Sequence, residues 1–214
     1  MSEHYFTSDP SAPIERRTIR ARLGGRELEL ATANAVFSPE HVDKGTGILL
    51  AEVPEPPREG AGLDLGCGWG PIALDLALRS GPEGDEPGLE VWAVDVNERA
   101  LELCRENAER HAPGRIRAVT PEQVPSDLRF ATIWSNPPIR IGKAALHELL
   151  ETWLPRLEWG GEAWLVVAKQ LGADSLQAWI AERFAGELEV ERAETAKGFR
   201  VLRVERVAEE RPGA

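Results

Sequence analysis

The chain has 214 residues, 42% hydrophobic and 29% charged, with a formal net charge of −11 and two cysteines. That length supports one large domain with a substantial core. Two cysteines exclude a disulfide-framed scaffold, and no apolar run approaches the length of a membrane span.

No N-terminal signal pattern is present either, so the chain reads as cytoplasmic and without a membrane partner. The first recognisable element is a β-hairpin, with strands over residues 18–23 and 27–32 around Gly24-Gly25. Residues 14–26 hold Arg16, Arg17, Arg20, Arg22 and Arg26 against the single acid Glu15. They are either a phosphate-contacting rim or one solvated face of the hairpin. A helix is predicted over residues 41–53, followed by the proline-rich link Pro54-Glu55-Pro56-Pro57. This divides the chain into an N-terminal extension (1–53), a core (54–207) and a frayed tail (208–214).

Beyond the link, apolar strands and helices alternate around Leu63, Ile72, Val91, Ala100, Ile116 and Ile133, then a helix over 144–154 and a strand over 162–168. Such alternation implies a Rossmann-like α/β fold, a mostly parallel sheet with helices on both faces. A helix over 176–184 and a closing hairpin over 188–192 and 200–207 complete a seven-stranded sheet with an antiparallel edge. Residues 80–88 form an acidic loop rich in glycine and proline. Trp92, Trp153, Trp159, Trp164 and Trp179 fall on these elements and are expected in the core. Cys67 and Cys104 read as small packed side chains. The four histidines show no metal-ligand spacing, so no metal is expected.

Two stretches carry chemistry. The first is Asp64-Leu65-Gly66-Cys67-Gly68-Trp69-Gly70, between a buried strand and a helix opened by Pro71. Glycines there permit a tight turn and close approach of backbone to a ligand. A dinucleotide loop spaces its glycines as G-x-G-x-x-G, whereas this one reads G-x-G-x-G with an acid two positions before the first glycine. That disfavours a nicotinamide dinucleotide and suits a nucleoside ligand bearing a cationic amine. Asp95 ends the next strand, where an acid accepts hydrogen bonds from ribose hydroxyls. Val96 and Asn97 follow where the base would lie, and Asn97 is the better cap for the next helix, leaving Asp95 for the ligand.

The second stretch is Asn136-Pro137-Pro138-Ile139, at the end of a strand over residues 131–135. Prolines donate no backbone hydrogen bond, so they end the sheet and leave carbonyls as acceptors. The Asn136 side-chain oxygen and the Pro137 carbonyl suit the two hydrogens of a planar exocyclic amine. Held that way, the amine lone pair points at an electrophile, and no nucleophilic side chain or metal is required.

With these stretches the chain resembles the class I S-adenosylmethionine-dependent methyltransferases of the small-domain family, the ribosomal RNA small subunit methyltransferase C type. The resemblance rests on His4-Tyr5-Phe6, Phe37-Ser38 with Asp43-Lys44-Gly45-Thr46, the glycine loop, Val94-Asp95-Val96-Asn97, Asn136-Pro137-Pro138-Ile139-Arg140 with Gly142-Lys143, and Lys197-Gly198-Phe199-Arg200-Val201-Leu202. It implies methyl transfer to guanine N2 of 16S rRNA, with S-adenosyl-L-methionine as cofactor, S-adenosyl-L-homocysteine as product and the small ribosomal subunit RNA as partner. It also implies that the segment from Phe37 to Thr46, with Asp43 and Gly45, closes over the methionine end of the cofactor. Tyr5 and Phe6 would meet the substrate, while Arg140 and Lys143, directly after the amine clamp, read by position either as a phosphate-binding rim at the site's mouth or, for Lys143, as cover for an apolar helix surface. Many relatives carry an aromatic residue where this chain has Ile139, so either base stacking falls to Tyr5, Phe6 or Phe37 or the target base is held differently. The adenine amine is left to Glu122 or a backbone carbonyl. A protein-glutamine methyltransferase, a DNA or small-molecule amine methyltransferase and a non-catalytic ribosome-assembly factor remain as rivals. The target nucleotide and the oligomeric state are not written in the chain.

Overall fold

Every residue of β3 (Ala61–Leu65) is buried, and so are four of the five in β4 (Glu90–Val94). Strands apolar on both faces belong inside a parallel sheet covered on both sides. The computed structural model describes residues 15–81 and 88–207. Tyr5, Phe6, the middle of the acidic loop and the expected C-terminal tail lie outside the described residues.

The chain begins with a two-stranded hairpin, β1 (Arg16–Leu23) and β2 (Arg26–Ala33), and then α1 (Lys44–Glu52). After β3 come α2 (Pro71–Arg79), β4, α3 (Glu98–His111), β5 (Ile116–Val119) and β6 (Phe130–Ser135). α4 (Lys143–Trp153), β7 (Leu157–Ala168), α5 (Ala173–Arg183), β8 (Leu188–Ala196) and β9 (Phe199–Arg206) complete it. The second sheet has seven strands in the order β5-β4-β3-β6-β7-β9-β8. The first five are parallel, and β9 pairs antiparallel with both β7 and β8. The chain winds outward from β3 through β5, then returns to β6 on the other side of β3. That reversal opens a crevice beyond the carboxyl ends of β3 and β6, where open α/β sheets bind ligands.

The hairpin, α1, α2 and α3 share one core, including Leu30, Leu49, Leu76 and Leu101. α4 and α5 cover the opposite face, with Phe130, Leu150, Trp153 and Ile180. The hairpin is thus packed into the main core rather than beside it. Asp75 of α2 accepts the Gly24 N–H at 2.7 Å, fixing the hairpin tip. Asn107 of α3, fully enclosed, accepts the Ala31 N–H at 2.7 Å and donates to the carbonyls of Ala31 at 2.9 Å and Trp69 at 3.0 Å. One side chain therefore ties the hairpin, α3 and the glycine loop together.

Of the five tryptophans expected in the core, Trp92, Trp153 and Trp164 are buried, Trp179 is half-buried against its edge, and Trp159 is not there. It is 54% exposed, with the Arg206 guanidinium 4.2 Å from its ring centroid. It sits where β7 begins, beside the Gly160-Gly161 irregularity, so strand periodicity does not govern which way it faces. The hairpin arginines are largely engaged: Arg16 pairs with Glu106, Arg17 with Glu40 at 3.0 Å and Arg20 with Glu29 at 2.8 Å. That favours the solvated-face reading of this arginine group over a phosphate rim.

Candidate active site

The glycine loop crosses from β3 to α2 at the crevice, and its three glycines do different work. A Cβ on Gly68 would meet nothing within 4 Å, and one on Gly66 would touch only Pro138 Cδ at 3.6 Å. These two positions leave an open cradle. Gly70 instead has φ 91° and caps α2; a Cβ there would lie 2.6 Å from the Cys104 sulfur in α3. Its role is close helix packing, together with a backbone conformation unfavourable for other residues. Gly70→Ala should therefore destabilise the fold by about 2–4 kcal/mol. Adding Cys104→Ala should recover part of that loss, since it relieves the clash but not the dihedral strain. Chemical denaturation of the single and double variants checks both statements. Trp69, in the same loop, is buried and donates from Nε1 to the Ser38 carbonyl at 3.2 Å.

Asp64 lies beneath the loop and is fully buried. One carboxylate oxygen accepts the Ala73 N–H at 2.8 Å, while Oδ1 has no hydrogen-bond partner. Burial pushes this carboxyl up to about 8, opposed by the Ala73 N–H and reinforced by the neighbouring charge of Asp95. A buried acceptor without a donor is costly, and a cationic amine would supply the missing donor. Asp95 accepts from Gly68 N at 2.8 Å and Asn97 N at 2.9 Å, and burial raises it against those bonds. Asn97 caps α3, as its sequence context requires, by accepting from Arg99 N and Ala100 N. Its amide also donates to the Ala35 carbonyl at 3.1 Å.

That contact and the Trp69–Ser38 bond pin the segment that carries Phe37. Ala35 and Ser38 on either side have φ of 57° and 48°, a region non-glycine residues seldom occupy. Between them Phe37 stands 45% exposed, and Val96, beside Asp95, is 46% exposed. Two large apolar groups thus face outward from the segments flanking the cradle. The strained segment is held by the two loops it covers, a usual circumstance at binding sites.

On the other side of the crevice, Asn136 follows the last residue of β6. Its Nδ2 donates to Asp43 Oδ2 at 2.9 Å and to Thr46 Oγ1 at 3.1 Å. An ionised carboxylate only accepts, so Asp43 decides which end of the Asn136 amide faces it. The nitrogen is held back and the oxygen is left as a free acceptor. Asp43 itself is fixed as the N-cap of α1, accepting from Gly45 N at 2.8 Å and Thr46 N at 3.4 Å. Gly45 leaves little room for a side chain, since a Cβ would lie 3.0 Å from both Asp43 Oδ2 and Phe199 Cε1 and would press on the Asp43–Asn136 contact. The Pro137 carbonyl already accepts the Ile139 N–H at 2.8 Å, so one lone pair remains for a ligand. Pro138 and Ile139 are half-buried, and the backbone of Ile139–Ile141 makes a 3₁₀ turn before α4.

Asp43 and Thr46 therefore meet Asn136 directly, a contact that chain order does not reveal. We expect Asp43→Ala to lower kcat about tenfold by freeing the amide to turn, with the cofactor Kd changed less than about threefold. Equal losses in both would assign Asp43 to the cofactor instead. Phe199, the first residue of β9, reads in the sequence only as part of the closing hairpin, with no role at the site; nothing in its residue type or spacing signals that it packs beside Gly45. A groove of about 480 Å³ between the hairpin tip and α1, lined by Arg22, Leu23, Val42, Leu50 and Asp75 among others, shares none of these site residues. Among the described residues no cluster of His, Cys, Asp or Glu is arranged to hold a metal. No helix among them is long and apolar enough to cross a membrane.

The sheet order, the open glycine cradle and the acceptor pair define a nucleoside-dependent group-transfer domain. Residues 27–203 match the family model described as methyltransferase small domain. The chain belongs to that family and is an S-adenosylmethionine-dependent methyltransferase. Among its relatives is the Bacillus subtilis protein YbxB, 36% identical over 210 residues, covering 97% of this chain and all of that one. Ribosomal RNA small subunit methyltransferase C of Aeromonas hydrophila is 34% identical over 160 residues, covering 72% of this chain and 44% of the relative. A solved T. thermophilus 16S rRNA N2 methyltransferase, RsmC, in complex with AdoMet and guanosine, superposes with a TM-score of 0.74 at 26% identity. That match covers 92% of this chain and 52% of the other. The chain thus spans all of YbxB but about half or less of these two ribosomal RNA methyltransferases.

Proposed function

We propose that this protein methylates the exocyclic N2 of a guanine in small-subunit ribosomal RNA. The observation that carries the reading is the Asn136 amide, locked by Asp43 and Thr46 with its oxygen free at the switch point of the sheet. S-adenosylmethionine supplies a methyl group made electrophilic by its sulfonium. Asp64 Oδ1 would take the ammonium of its methionine portion, the open positions at Gly66 and Gly68 would admit its backbone, and Asp95 would take its ribose. Gly45 and the strained Phe37 segment would flank it, with Cys67, Gly70, Val96 and Asn97 shaping the surrounding loops.

Asn136 Oδ1 and the remaining lone pair of the Pro137 carbonyl would accept the two amine hydrogens. An aniline-like amine is a poor nucleophile because its lone pair is delocalised into the ring. Holding both hydrogens in fixed directions brings that lone pair out of conjugation and stabilises the positive charge that grows on nitrogen. Neither acceptor is a base at neutral pH, so the released proton goes to water. Pro138 and Ile139 offer an apolar wall to a base taken out of its stack. The guanosine in the RsmC complex and the ribosomal RNA methyltransferase relatives support this acceptor over a protein amide or a DNA base.

The test is to incubate the purified protein with tritiated S-adenosylmethionine and small ribosomal subunits lacking guanine-N2 methylation, then digest and identify the labelled nucleoside. Label in N2-methylguanosine is the expected result. Label in another nucleoside, or none despite measured cofactor binding, would reject the assignment.

A further inference from the structure

The chain contains only four lysines, Lys44, Lys143, Lys169 and Lys197, and all four stand at the carboxyl edge of the sheet near Asn136. Lys44 opens α1 beside Asp43, its Nζ 5.9 Å from the centroid of the Phe199 ring. Phe199 in turn packs against Gly45, next to the Asn136 amide. Lys143 opens α4, the helix that follows Asn136 after one short turn. Lys169 comes directly after β7 and its N–H donates to the Gly198 carbonyl at 2.8 Å, which places it against the β8–β9 turn holding Lys197. Since β7 runs parallel to β6 and Ala168 pairs with Phe199, that turn lies on the same edge as Asn136.

All four side chains are exposed, and among the described residues none forms an ion pair. Many of the arginines are used differently. Arg16, Arg20, Arg117 and Arg183, for example, each close on a carboxylate. Three of the lysines also occupy positions that local stability does not favour. A cation at the first residue of a helix faces the positive end of its dipole, as Lys44 and Lys143 do. Lys197 has φ 48°, where glycine or asparagine is the easier choice. A negatively charged ligand reverses the first objection, because helix N-termini and ammonium groups then act on it together.

We propose that Lys44, Lys143, Lys169 and Lys197 form the track along which this protein holds the phosphate backbone of its RNA, a surface that rests on the substrate class proposed above. The chain as a whole is acidic, with a net charge of −11 that already includes these four lysines, so the remainder repels a polyanion away from this edge. Single-strand phosphates on either side of an extruded base would pass over the lysines while the base reaches Asn136. Lysine suits this as a compact charge on a flexible stem, meeting phosphates without fixed geometry.

The test uses the full chain and a fluorescently labelled fragment of small-subunit ribosomal RNA, with anisotropy measured from low to moderate salt. The quadruple variant Lys44→Gln/Lys143→Gln/Lys169→Gln/Lys197→Gln is compared with wild type and with a charge-matched control, Arg16→Gln/Arg20→Gln/Arg117→Gln/Arg183→Gln. Each lost phosphate contact reduces the slope of log K against log salt by about 0.7–0.9, so the lysine variant should lose about 3 from the wild-type slope. The arginine control should keep it. Thermal unfolding and S-adenosylmethionine binding report whether each variant is folded. An unchanged slope in a folded lysine variant, an equal loss in the arginine control, or no salt-dependent binding by wild type overturns the track. Failure here with label still found in N2-methylguanosine leaves the proposed reaction standing. Success here with label elsewhere leaves the track standing and rejects only the acceptor.

Discussion

Asn136→Ala should lower kcat for methyl transfer by about 10²–10³-fold while leaving the S-adenosylmethionine Kd within about threefold of wild type, in line with the loss of one preorganised polar group from a reacting centre. The side chain lies between the carboxylate and hydroxyl that anchor it, at 2.9 and 3.1 Å, and the space where an amine would stand. Its removal deletes the acceptor without disturbing the glycine cradle on the far side of the crevice. Single-turnover rates under saturating cofactor, with the cofactor Kd measured separately, isolate the effect. Parallel losses in kcat and cofactor affinity would mean that Asn136 holds the cofactor, and the division of labour across the crevice would be wrong. Asn136→Asp is informative beside it. Facing Asp43, a second carboxylate introduces like-charge repulsion, and we expect that variant to be no more active than alanine.

Asp64 carries the second large effect. With its carboxyl pushed up to about 8, the free protein at neutral pH holds Asp64 mostly protonated. A cationic ligand at Oδ1 favours the carboxylate, so binding below pH 8 must expel a proton. Affinity should therefore climb about tenfold per pH unit toward 8 and level off above it. Calorimetry at pH 7 in two buffers of different ionisation enthalpy should register release of close to one proton, and a pH-independent Kd without release would remove Asp64 from the cofactor site. Asp64→Asn cannot make the charge and should weaken S-adenosylmethionine at least 100-fold.

Stability gives an independent readout of the same group. A carboxyl whose folded pKa is raised binds its proton more tightly in the native state. Its contribution thus favours folding at low pH and is lost as pH rises from about 4 to about 8. Asp95 is raised as well and adds in the same direction. The slope of unfolding free energy against pH in that window should accordingly be flatter in Asp64→Asn than in wild type.

Much of this architecture was written locally. The alternation of apolar runs and helical stretches announced the parallel sheet, because each element's periodicity is set by neighbours a few residues away. Asn97 before Glu98 marked the start of α3, Pro71 the start of α2, and the paired prolines the end of β6, each by a backbone constraint that acts within one turn. Acid-flanked glycines and Asn-Pro-Pro likewise mark where the proposed chemistry lies through residue type alone. Even the closing hairpin was legible, although β8 runs longer than its periodicity suggests, to Leu188–Ala196, and β9 begins and ends one residue earlier, at Phe199–Arg206.

What the tertiary structure alone decided is which distant groups meet. Asp43 and Asn136 are 93 positions apart, and no local rule predicts that a helix cap in the N-terminal segment should orient an amide beyond β6. The division of the three glycines, two open to a ligand and one pressed against Cys104, depends on how α2 and α3 pack. The unpartnered oxygen of Asp64 follows from burial under the loop, and the gathering of four lysines on one edge follows from the strand order. Sequence patterns report free energies of single elements, set by dihedral preference and periodic burial. The site is made by the sheet order that brings β3, β6 and the turn before β9 to one edge, and that order is selected by the packing of the whole core.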